Sequence, residues 1–166
     1  MPDKAAALPV LGLMLGDCAG IGPEQCARIL ADRRLADAAR LLVVGDARVL
    51  ALGARDANVG FSWRSYTSPE AVDWTREEIP LIDLANIDPA RISRGSISAE
   101  SGRVAGETLA YMVQLALARR IEGISFAPLN FAALRLRRQS GKNRMCYSMG
   151  SNFDQASFVK LNHFRR

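Results

Sequence analysis

The run GDCAGIGPE, residues 16–24, follows directly on the apolar stretch 9–15 and constrains this chain more than any other feature. Its glycines, Gly16, Gly20 and Gly22, let the backbone bend tightly and approach a neighbour without Cβ interference. Pro23 suits the first turn of a helix, where a missing N–H costs nothing, and Glu24 suits the positive end of that helix. The order is therefore strand, glycine loop, helix N-terminus. α/β proteins place ligand loops in this geometry at the carboxyl ends of their strands. A plainer reading stays open, in which Gly and Pro only shape a tight turn and Asp17 caps it.

The rest of the chain repeats the alternation. A short helix continues over 25–31, and LLVVG, 41–45, is a compact apolar run typical of a strand covered on both faces. Asp46 is a good N-cap for a helix over 47–54. Residues 59–66 and 80–84 read as further strands. A polar, turn-rich stretch over 86–101 precedes the longest helix, 101–120, whose apolar face includes Val104, Leu109, Met112 and Leu117. A strand over 124–127 is halted by Pro128, and a helix restarts over 131–138. Strands alternating with helices predict an α/β fold with a mainly parallel sheet.

Composition matters mainly through its distribution. The chain of 166 residues carries a net charge of +5, yet residues 133–166 hold eight of its 22 Lys/Arg and one of its 17 acids. The remaining body is slightly acidic, and the basicity belongs to the tail. Past Arg138 the tail keeps neither helical nor strand periodicity. Its arginines and phenylalanines form only a sparse basic and aromatic mixture, without a helix-turn-helix, zinc or RNA-binding pattern, so nucleic acid is not the expected partner. Three cysteines, Cys18, Cys26 and Cys146, are odd in number and lack metal-type spacing, which points away from a disulfide framework. Residues 5–15 read as a buried first strand rather than a secretion leader, and no apolar run approaches the ~20 residues of a membrane span. A cytoplasmic protein is expected.

GDCAGIGPE resembles the GDPAGIGPE motif of the 4-hydroxythreonine-4-phosphate dehydrogenase family, the PdxA-type enzymes of vitamin B6 synthesis, with Cys18 where that family usually has Pro. The stretch 98–134, which contains SGRVAGETLAYMVQLALARRIEGISFAPLNFAAL, resembles a second block of the same family, in the right order and at about the right distance. The resemblance covers roughly the first half of such an enzyme. It implies an isopropylmalate/isocitrate dehydrogenase-like α/β fold, a parallel-containing sheet with flanking helices, and an incomplete second domain. The expected units are an N-terminal α/β part over 1–100, the start of a second α/β domain over 101–138, and a divergent, poorly ordered basic tail over 139–166. A divergent tail, a tail read out of frame and a short paralogue are three accounts of the last unit. The joint loss of pattern and resemblance favours an altered or truncated C-terminus.

By the same resemblance, the complete enzyme is NAD- or NADP-linked, metal-dependent and homodimeric, and oxidises and decarboxylates a small hydroxy acid. The cleft loop is then Asp17, Gly20, Gly22 and Glu24. Arg103, at the start of the long helix, and Asn130, at the end of the last strand, are the substrate-binding candidates. An exposed surface arginine remains the plain alternative for Arg103, with Glu107 as a surface ion-pair residue. The family usually has Lys after the Asn; here it is Phe131, which can neither bind phosphate nor polarise a carbonyl. The family's metal is held by three histidines drawn from both subunits, whereas this chain has one, His163, in an unrelated context. No metal ligand is therefore assigned, no catalytic residue is identified, and the chain is expected to bind neither cofactor by itself. A non-catalytic α/β scaffold used for binding or dimerisation is the alternative function.

Overall fold

The computed structural model describes residues 8–139. The tail expected to be poorly ordered lies, but for Gln139, outside the described residues, as do His163 and Cys146. Five strands form one sheet in the order β3-β4-β2-β1-β5, and every neighbouring pair runs parallel. They are β1 (Val10–Met14), β2 (Arg40–Gly45), β3 (Trp63–Tyr66), β4 (Ile79–Asp83) and β5 (Gly123–Phe126). The α-helices are α1 (Gly22–Ala31), α2 (Ala47–Ala57), α3 (Ala99–Leu117) and α4 (Phe131–Gln139). The parallel α/β class expected from the alternation is the one observed.

Central strands of a parallel sheet are covered on both faces, so their side chains need no polar alternation. Leu42, Val43 and Val44 of β2 are each fully buried. Successive residues serve opposite layers. Leu13, Val43 and Leu81 pack with Cys26 and Leu30 of α1 and Val49 and Leu50 of α2. Met14, Leu42, Val44 and Ile82 pack with Ala105, Leu109, Met112 and Leu115 of α3. α1 and α2 thus cover one face, while α3 covers the other.

Local chemistry fixes most helix ends. Pro23 occupies the first turn of α1, and the Asp46 carboxylate accepts the Arg48 N–H at 2.9 Å to cap α2. α3 starts two residues earlier than its sequence pattern suggests because Ser98 caps it, its hydroxyl accepting the Ser101 N–H at 3.0 Å. It also ends three residues early. Arg119 takes a left-handed conformation (φ 56°), and the Arg120 N–H returns to the Leu115 carbonyl at 2.8 Å. That closure usually relies on glycine, so no sequence signal marks it.

The segments on either side of residue 100 share this sheet. β5 pairs with β1, Met14 lying opposite Phe126, and α3 packs across β1, β2 and β4. Within the described residues the two expected α/β units are joined through one hydrogen-bonded ladder.

Candidate functional site

The strand order decides where a ligand crevice can form. The connection leaving β1 crosses through α1 to β2 on one side, whereas β5 lies on the other side of β1 and leads into α4. α4 packs against α3, on the face opposite α1 and α2. β1 and β5 therefore form the topological switch point, where open α/β sheets bind ligands beyond the strand carboxyl ends. Both sequence motifs meet there. The Asp17 N–H donates to the Pro128 carbonyl at 2.9 Å, tying the β1–α1 loop to the β5–α4 loop. A third segment joins them, because the Gly95 N–H donates to the Ala19 carbonyl at 2.8 Å.

Gly16 and Gly22 make this convergence possible. Gly16 has a positive φ of 78°, and a Cβ there would lie 2.7 Å from the Pro128 oxygen. A Cβ on Gly22 would lie 2.4 Å from the Leu15 carbonyl oxygen, where α1 begins against the end of β1. Gly20 has no such constraint. A Cβ added there would find its nearest neighbour 3.6 Å away, an ordinary contact, and the Gly20 φ is unexceptional. Of the three glycines expected to carry a backbone demand, Gly16 and Gly22 do and Gly20 does not, a difference that spacing alone does not reveal.

Asp17 is buried, and its carboxylate accepts the Ala19 N–H at 3.0 Å. It shapes the loop from within. Next to it, burial first and then the charge of Asp17 push the Cys18 thiol up to about 11, so the sulfur stays protonated. Burial alone pushes Cys26 up to about 12. Both behave as small apolar groups. Glu24 pairs with Arg28 one turn along α1, at 3.0 Å.

The two substrate-binding candidates also have work within the fold. Arg103 donates to Glu100 at 2.7 and 3.0 Å, to Glu107 at 2.7 Å and to the Asn86 carbonyl at 2.7 Å. Hydrogen bonding to Glu100, reinforced by Glu107, raises its pKa further despite partial burial, while Arg103 holds the Glu100 carboxyl below its ordinary range. The guanidinium clamps the start of α3 to the segment following β4. Asn130 is the N-cap of α4: its side-chain oxygen accepts the N–H groups of Ala132 and Ala133, each at 3.1 Å. The amide NH₂ is the part of Asn130 left to address a ligand.

The turn at 93–98 and the carbonyl of Pro128 complete this junction of three segments, and sequence reasoning does not find them. Backbone groups carry no residue-type signal, although Ser98 at a helix start is available as a cap. Ile21, Ile97 and Phe131, one from each of the three segments, are about half exposed. Among the described residues, no three His, Cys, Asp or Glu side chains come together as a metal would require. The glycine loop lacks the G-x-G-x-x-G spacing of a dinucleotide fingerprint, so it is not a Rossmann-type phosphate loop.

A parallel sheet covered on both faces, with two motif loops at its switch point, defines a doubly wound α/β protein. No family model matches the chain. A Rhizobium meliloti protein provisionally named 4-hydroxythreonine-4-phosphate dehydrogenase 2 is 37% identical over 129 residues, 76% of this chain and 36% of that protein. A protein from Oceanobacillus iheyensis, provisionally named D-threonate 4-phosphate dehydrogenase, is 36% identical over 76% of this chain and 38% of its own length. The crystal structure of a 4-hydroxythreonine-4-phosphate dehydrogenase from Burkholderia phymatum matches with a TM-score of 0.73 at 32% identity, over 78% of this chain and 39% of that one. The chain is a relative of the 4-hydroxythreonine-4-phosphate dehydrogenases, and it spans about two fifths of the length of the relatives it matches. The family resemblance of its two motifs and the fold that resemblance implied are both upheld.

Proposed function

We propose that this chain supplies one wall of the substrate crevice of an NAD- or NADP-linked, metal-dependent hydroxy-acid dehydrogenase and is inactive by itself. The observation carrying the proposal is the hydrogen bond from Asp17 to Pro128, which joins the two family motifs at the switch point. Relatives named 4-hydroxythreonine-4-phosphate and D-threonate 4-phosphate dehydrogenase support a small hydroxy acid as substrate. In the complete fold the reaction is oxidation of a secondary alcohol followed by loss of CO₂, carried out by a homodimer.

The contribution of these residues is positional. Asp17 and Gly16 hold the β1–α1 loop against the β5–α4 loop, and the Asn130 side-chain oxygen holds the start of α4. Arg103, balanced by two carboxylates, sets the α3 N-terminus and meets an anion only by exchanging one of those partners. Phe131, half exposed beside Asn130, offers no charge to a phosphate.

Hydride transfer needs alcohol and nicotinamide held roughly 3–3.5 Å apart, which a single wall cannot impose. The purified 166-residue chain should therefore give no NADH from 4-phosphohydroxy-L-threonine or D-threonate 4-phosphate with zinc, magnesium or manganese present. Turnover in the usual enzymatic range of ~1–1000 per second would overturn the proposal.

A further inference from the structure

We draw no further inference here: the strongest candidate, the outer edge of the sheet at β5, carries nothing because no feature of the structure shows what covers it.

Discussion

Gly22 and Gly20 lie two residues apart in the same loop, yet they face opposite constraints. A side chain at Gly22 would drive into the Leu15 carbonyl, whereas one at Gly20 meets only ordinary contacts. Gly22→Val should cost at least the ~1–3 kcal/mol of an overpacked site, and Gly20→Ala should leave the melting temperature nearly unchanged. Thermal unfolding of the pair checks this, and equal effects would contradict the geometry. Asp46 provides a second test at this scale. Burial raises its pKa, but hydrogen bonds from the Arg48 guanidinium and from the Ile87 and Arg48 N–H groups outweigh that and hold it below the ordinary value. A depressed folded pKa means that this stability is fully present above the unfolded value, about 3.9 for Asp. It is lost as pH falls through the lower folded value. Asp46→Asn should therefore destabilise by about 1.5–3 kcal/mol at neutral pH. The gap from the parent chain should close in strong acid, as measured by urea unfolding across pH.

At the scale of elements, Asn130 ends β5's connection and opens α4 with the same side chain. Asn130→Ala should cost about 1 kcal/mol through the lost cap, and the α4 amides should show faster hydrogen exchange than those of α3. Unchanged α4 exchange would mean that packing on α3 alone holds the helix. Such caps are partly legible in sequence: Asp46 stands out as the cap of α2 and acts as one, while the apolar pattern starts α3 at Ser101 and gives Ser98 no role. β2 is legible as a buried strand because its apolar run needs no alternation. The end of α3 is not, because a left-handed arginine does there what glycine usually does. The candidate site divides in the same way. Its two motifs stand out by residue type, but their meeting depends on backbone groups of Asp17 and Pro128 more than a hundred positions apart, which no local pattern encodes. Glu107 is legible as an ion-pair residue near Arg103, whereas Glu100 and the Asn86 carbonyl become partners of Arg103 only once the helix has folded.

For the whole molecule, the central claim is that residues 8–139 form a competent wall for a dehydrogenase crevice that the rest of the family fold completes. The chain spans 36% of the Rhizobium meliloti relative, so the matching segment of that protein can be replaced by this one. At 37% identity the buried face of the transplanted sheet should accept its new surroundings, and circular dichroism verifies that the chimera folds. The decisive measurement is NADH formation by the folded chimera on a 4-phosphorylated hydroxy acid, alongside the intact relative and the chain alone. The account predicts turnover by the chimera, none by the chain, and a gain for the chimera when Phe131→Lys restores a cation beside Asn130. A well-folded chimera that stays silent, with and without that lysine, would contradict it.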